Sequence, residues 1–283
     1  MAVIKSRGAT KRLDPIGLGR KFVSFKTRNC NRHFTVHEDL LCANSKFFRR
    51  RLQRGRKAVD GDCPICHESL DPKVDITFCG AKYGQNVHEQ CIDQWKNSQA
   101  GGPTCPMCRS VWISRRDELV SLQCNLDVDA VQIYLNWLYS GNLHIDDAID
   151  RDDDRFNTLL LKAWTVALAF NDYNFKYAII AEFVSSVEDG KNSGFKSDSV
   201  RYAFEECSNH FMQYFVVGNI LITITPKWFQ DHASEYPTSF THALCETALR
   251  LLEQRPTRTE LLEEYTYGAY TMKEEDGQEE DDE

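Results

Sequence analysis

The residues best equipped for chemistry are cysteines, and they are unevenly spread. Six of the eleven fall between Cys63 and Cys108, a window of 46 residues, while Cys30, Cys42, Cys124, Cys207 and Cys245 stand alone. The order is Cys63-x2-Cys66-x12-Cys79-x8-His88-x2-Cys91-x13-Cys105-x2-Cys108. Cys-x2-Cys spacing suits zinc, because one tight turn brings both thiolates to the same ion at ~2.3 Å and a second pair from a distant turn completes the tetrahedron. Seven such ligands are too many for one ion. The opening Met1-Ala-Val-Ile-Lys5 has no apolar signal segment, so the cluster reads as metal ligands in a reducing, intracellular compartment rather than as disulfides.

The flanking chain must position this cluster. Lys21–Lys26 and His33–His37 read as two short strands joined by a turn, which predicts a hairpin. From Glu38 the period changes: Leu41, Asn44 or Ser45, Phe48 and Leu52 recur at helical spacing with Gly55 as a stop, predicting one or two helices. After the cluster, Val120, Leu122, Cys124 and Leu126 alternate with Ser121, Gln123 and Asn125, the pattern of a half-buried third strand. Asp127 or Asp129 can cap a helix over 131–139 that Gly141 ends. Asp146–Asp154 holds six acids in nine residues and reads as a solvated loop that also places negative charge at the start of the next helix. Leu160, Ala163, Trp164, Ala167 and Leu168 mark that helix, Asn171 breaks it, and Tyr177–Val184 begins another. Residues 190–199 read as a loop or linker. Beyond it Val200, Phe204, Cys207 and Phe211 predict a helix, Thr225-Pro226 a helix start, and Phe240, Leu244, Ala248 and Leu251 a further helix.

The ligand order resembles the RING finger, and so do the phrases around it: Cys-Pro-Ile-Cys at 63–66, His-x2-Cys-Ile-Asp-Gln-Trp at 88–95 and Cys-Pro-Met-Cys-Arg at 105–109. The resemblance implies a cross-brace with two zinc ions, the first on Cys63, Cys66, His88 and Cys91, the second on Cys79, Cys105 and Cys108. RING domains place a fourth ligand a few residues after the third; here Tyr83 or Gln85 occupies that place. The second site is then three thiolates with water or another side chain, or it is empty and replaced by packing. RING domains bind a ubiquitin-conjugating enzyme and hold its ubiquitin thioester ready for a substrate lysine, forming no covalent intermediate themselves. Their contact positions match Ile65, Trp95 and Pro106, an apolar patch, and Arg109, a permanently charged fork of donors suited to bridging the enzyme and ubiquitin. Without that activity, the same module would be a zinc-stapled adaptor.

Phe34–Phe48 and Ile133–Leu143 resemble two pieces of a BTB/POZ domain, most like the divergent BTB domains of fungal proteins. The implied architecture is α+β: a basic tail at 1–19, BTB-like parts at 20–58 and 114–187 with the RING inserted at 59–113, helices over 188–270, and an acidic tail at 271–283. An insertion that folds itself and returns the chain nearby costs a framework little. BTB domains associate with themselves or with partners. Cullin-binding members carry a hydrophobic-x-acid triplet where this chain reads Phe156-Asn157-Thr158, and the missing acid argues against cullin. Cys30, His33, His37 and Cys42 lack tight spacing and are read as structural.

Composition fits this scheme. The chain has 283 residues, 42% of them hydrophobic, and the prior is two domains or one carrying an insertion. Residues 1–57 hold 16 Lys and Arg against three acids, although the chain as a whole has a net charge of −8. No base-reading motif accompanies this basic end, so nucleic acid is not the expected partner; Arg49, Arg50, Arg51, Arg54, Arg56 and Lys57 are read as the solvated face and end of a helix. Apolar stretches reach about a dozen residues, short of the ~20 a membrane helix needs. Phosphate loops, a hydrolase nucleophile elbow and paired catalytic carboxylates are not found.

Overall fold

A computed structural model of the chain describes residues 21–28, 32–71, 74–99, 102–112, 120–122, 124–207, 209–251 and 263. The described residues form an α+β structure: mostly helix, with one three-stranded and one two-stranded sheet. Two compact units divide it. One comprises Met1–Phe25, His33–Ala43 and Phe47–Val120; the other comprises Lys26–Arg32, Asn44–Lys46 and Ser121–Glu283. The expected tails at 1–19 and 271–283, and Cys30, lie outside the described residues.

In the first unit, β1 (Phe22–Lys26) and β2 (Phe34–His37) form the expected hairpin, with Val23 opposite Val36 and Phe25 opposite Phe34. Those four side chains are buried on one face, as period-two alternation requires. Two helices follow, α1 (Glu38–Asn44) and α2 (Lys46–Leu52), and Phe48 lays its ring 5.2 Å from that of Phe25. A second hairpin, β3 (Ile76–Phe78) and β4 (Asn86–His88), leads into α3 (Glu89–Asn97). These last elements carry most of the cysteine cluster.

The third strand, β5 (Val120–Ser121), is shorter than its alternation predicts, and the sheet order is β2-β1-β5. Leu122 and Leu126 are buried as expected. Backbone bonds persist from Leu122 N to Lys26 O and from Arg28 N to Cys124 O, but β1 ends at Lys26 and leaves no regular ladder to extend.

In the second unit, α4 (Val128–Ser140) starts on Asp127, which accepts from the Asp129 and Ala130 amides, and stops at Gly141 with φ +72°. Helices α5 (Asp154–Phe170) and α6 (Tyr173–Glu188) are separated by Asn171 at φ +49°. Trp164, Tyr134, Phe170, Phe175, Phe183 and Phe215 are each at most 1% exposed and form the aromatic centre. Asp172, also fully buried, accepts from the Phe175 amide and from the Tyr134 hydroxyl at 3.0 Å each. Burial raises its carboxyl pKa to about 6, against the pull of those donors.

Three expectations need correction. The acids at 146–154 are not simply solvated: Asp153 caps α5, Asp152 accepts from the Ser193 amide, and Asp154 accepts from the amides of Lys196 and Ser199. Those bonds fold 190–199 onto the helices, where Asn157 and Asn192 exchange amide hydrogen bonds in a fully buried pair. Next, the helix expected through Val200, Phe204, Cys207 and Phe211 is broken. It runs as α7 (Ser197–Arg201), continues as a π-helical turn over Tyr202–Glu206, and restarts as α8 (His210–Thr223) with Asn209 as the cap. An Asn side chain that satisfies the Met212 amide competes with helix continuation. Third, Arg56 is not a solvated helix end; its side chain is only 10% exposed. The remaining helices, α9 (Pro226–His232) on the Thr225 cap and α10 (Thr238–Arg250), match expectation. No helix among the described residues is long and apolar enough to cross a membrane.

Candidate metal centres

Two short loops in the first unit are built alike. In each, a Cys-Pro-x-Cys run is closed by a backbone bond back to the first cysteine, His67 N to Cys63 O and Arg109 N to Cys105 O. In each, the residue after the second cysteine is left-handed, His67 at φ +62° and Arg109 at φ +57°. A second pair of bonds, Cys63 N to Glu68 O and Cys105 N to Ser110 O, completes the turn. Such turns aim both sulfurs at a common point. The remaining ligand types come from the β3–β4 hairpin and α3: Cys79 just after β3, His88 at the end of β4 and Cys91 in the first turn of α3.

The fold sorts these seven residues into two groups. Cys63, Cys66, His88 and Cys91 bring their ligand atoms within 4.8 Å of one another, and so do Cys79, Cys105 and Cys108. Along the chain the groups interleave. In the first, His88 Nδ1 lies 3.3 Å from Cys66 Sγ and 3.8 Å from Cys91 Sγ. In the second, the sulfurs of Cys79 and Cys108 are 3.6 Å apart. A tetrahedral zinc with Zn–S ~2.3 Å and Zn–N ~2.0 Å needs separations of roughly 3.6–3.8 Å, so both groups could hold the ion. His88 is also prepared: its Nε2 sits 3.1 Å from Ser69 O, and since a carbonyl only accepts, Nε2 carries the hydrogen and Nδ1 faces the thiols with its lone pair.

Protons compete with a cation at both groups. Burial pushes the Cys63 thiol up, but the amides of Cys66, His88 and Ile65 outweigh it and bring the pKa down to about 7. Cys91 is driven to about 12 by burial and by the thiols of Cys66 and Cys63. In the second group the Ser110 amide and hydroxyl lower Cys108 to about 7, and burial lifts Cys105 to about 11. Each group therefore contains thiols that stay protonated near neutrality until a metal displaces the protons. Affinity must rise with pH.

The second group has three candidate ligands among the described residues. Tyr83 is 55% exposed on the turn. Gln85 lies directly across the hairpin from Cys79, whose amide donates to Gln85 O, and its side-chain oxygen is 3.4 Å from Lys57 Nζ. Gln85 thus pairs with Cys79 across the hairpin while its side chain turns to a lysine. His37 and Cys42 belong to neither group; His37 packs tilted against Phe22 with centroids 4.3 Å apart and Cys42 is buried in α1.

Ile65 and Trp95 are half-buried against a small core of Cys63, Leu70, Cys79, Val87, Ile92, Cys105 and Trp112. The Trp95 indole donates to Thr104 O at 3.0 Å, which ties α3 to the second turn. Pro106 is half-buried and Arg109 exposed. Sequence reasoning missed a clamp between this module and α1–α2. Arg56 bonds Asp39 at 2.7 Å and Asn86 at 2.9 Å and covers the Phe78 ring, while buried Asn86 donates to Lys57 O and Ala58 O. Gly84, at φ +57°, meets Gly55 so closely that an added Cβ would lie 1.6 Å from Gly55 O. The two glycines and Asn86 between ligand positions were the available signal.

No protein-family profile matches the chain, and no solved structure matches it. DNA repair protein RAD5A of Arabidopsis thaliana is 25% identical over 170 residues, covering 59% of this chain. The match spans about 15% of the length of that relative.

Proposed function

We propose that the chain is a RING-type ubiquitin ligase. The observation that carries this reading is the interleaving of two ligand groups on twin Cys-Pro-x-Cys turns around one hairpin and one helix. Two zinc ions would staple a core too small to hold itself. On the RING resemblance, the chain forms no covalent intermediate with ubiquitin. Its task is to dock a ubiquitin-conjugating enzyme on Ile65, Trp95 and Pro106 and to hold ubiquitin in place through Arg109, whose exposed guanidinium can donate to carbonyls on both partners at once. The hairpin, α1–α2 and the helices beyond residue 114 would form the BTB-like framework, interrupted at 59–113 and serving self-association or substrate contact. Burial of Phe156 and Asn157 adds to the argument against cullin binding.

A specific observation favours a second reading. The second group lacks a fourth protein ligand among the described residues, as would suit a non-catalytic, zinc-stapled adaptor. Incubating the purified chain with a panel of conjugating enzymes separates the two. Ubiquitin transfer that falls in both Ile65→Ala and Arg109→Ala supports the ligase, whereas inactivity throughout the panel, or indifference to both substitutions, supports the adaptor.

A further inference from the structure

The two ligand groups differ in what happens when a metal leaves. The first group includes His88, whose ring cannot join a disulfide, and its four ligands make a closed site of the structural kind. The second, among the described residues, consists of three thiols, one short of a closed set. Cys79 and Cys108 are 3.6 Å apart at sulfur, and Cys108 is half-exposed between the exposed side chains of Met107 and Arg109. We propose that Cys79 and Cys108 form a peroxide-sensitive pair whose closure to a disulfide ejects the second zinc. The inference rests on the second group holding zinc, as argued above.

The chemistry balances with a hydroperoxide as the oxidant. The Cys108 thiolate attacks one peroxide oxygen, the O–O bond breaks, and hydroxide leaves a sulfenic acid on Cys108. The Cys79 thiolate attacks that sulfur, forming the S–S bond and expelling a second hydroxide. Two protons convert the hydroxides to water; the sulfurs lose two electrons and the peroxide gains them. Zinc, left with Cys105 alone, departs. Bond formation draws the sulfurs from 3.6 Å to ~2.05 Å, pulling on the turn that carries Pro106 and Arg109. Oxidation would thereby weaken the proposed enzyme contact, and thiol reductant with zinc would restore it.

Gln85 supplies the control. Opposite Cys79 across the hairpin, it is the position from which a histidine would complete the tetrahedron. The test treats the zinc-loaded full chain with a few equivalents of hydrogen peroxide, follows zinc release with a chromogenic chelator, and maps disulfides by non-reducing peptide mass spectrometry. The expected result is release of one of two zinc ions together with a Cys79–Cys108 linked peptide, and about tenfold slower release in Gln85→His, its two-zinc stoichiometry confirmed beforehand. A two-zinc chain that forms no such link, links cysteines of the first group instead, or behaves the same with Gln85→His overturns the inference. A chain that takes up only one zinc yet still forms the Cys79–Cys108 link overturns the two-zinc reading and leaves the reactive pair standing.

Discussion

The cysteine-rich module and the helical unit bury their polar groups by opposite means. In the module, three of the seven buried core residues are themselves candidate ligands, Cys63, Cys79 and Cys105, so a metal held there as proposed would be part of the core. The helical unit is self-sufficient: Asn157 satisfies Asn192 and Gly194 O, Asp172 satisfies Tyr134 and the Phe175 amide, and aromatic rings fill the space between. With zinc bound as proposed, one region would depend on an ion that can be taken away, and the other depends on contacts that only mutation removes.

That contrast predicts its largest effect for zinc removal. A strong chelator, or His88→Ala, should melt the module while α4 to α10 keep their helical signal, since structural zinc contributes ~10–16 kcal/mol of apparent binding energy that is spent on folding. Hydrogen exchange resolved by peptide checks this; loss of protection in α5 and α6 at the same chelator concentration would erase the contrast. Acid should imitate the chelator, because protons compete with the metal for the thiolates. Progressive loss of zinc as the pH is lowered, measured by dialysis, is the expected sign.

The next effect concerns activity without unfolding. Arg109→Ala removes a charge-assisted donor worth ~1.5–3 kcal/mol, which predicts at least a roughly tenfold fall in ubiquitin discharge at unchanged zinc content. Single-turnover discharge of a loaded conjugating enzyme measures it. In the helical unit, Asn157→Ala leaves the Asn192 amide and Gly194 O short of partners and should cost about 2–3 kcal/mol, visible as a lower denaturant midpoint with zinc unaffected.

The smallest effect is the Asp172 carboxyl. Its folded pKa of about 6 lies above the ordinary 3.8, so between those values the native state holds the proton more often than the unfolded chain. Stability of the helical unit should therefore be higher at pH 4–5 and decline as pH rises through about 6. Asp172→Asn keeps one oxygen to accept from the Phe175 amide, its Nδ2 then donating to the Tyr134 hydroxyl oxygen, and should flatten that decline. Urea unfolding at several pH values tests the direction.

How much the sequence disclosed depended on range. Ligand spacing, the β1–β2 hairpin and the caps at Asp127 and Thr225 were legible because each is decided by residues a few positions apart. The roles of Asp154 and Arg56 were not, since both look like ordinary surface charges until the chain returns: Asp154 to receive the Ser199 amide, Arg56 to meet Asn86. The gap after Cys79 was visible in the sequence, but only the hairpin register pairs Gln85, rather than exposed Tyr83, with Cys79.

The central claim is that the module binds two zinc ions of unequal strength, one on Cys63, Cys66, His88 and Cys91 and a weaker one on Cys79, Cys105 and Cys108. Native mass spectrometry of the full chain through a chelator titration tests it most directly. The account predicts a two-zinc species, then a populated one-zinc species, then the metal-free chain, with the first loss abolished as a separate step in Cys105→Ala, which starts at one zinc. A chain that never exceeds one zinc in excess metal, or that loses both ions together, would contradict it.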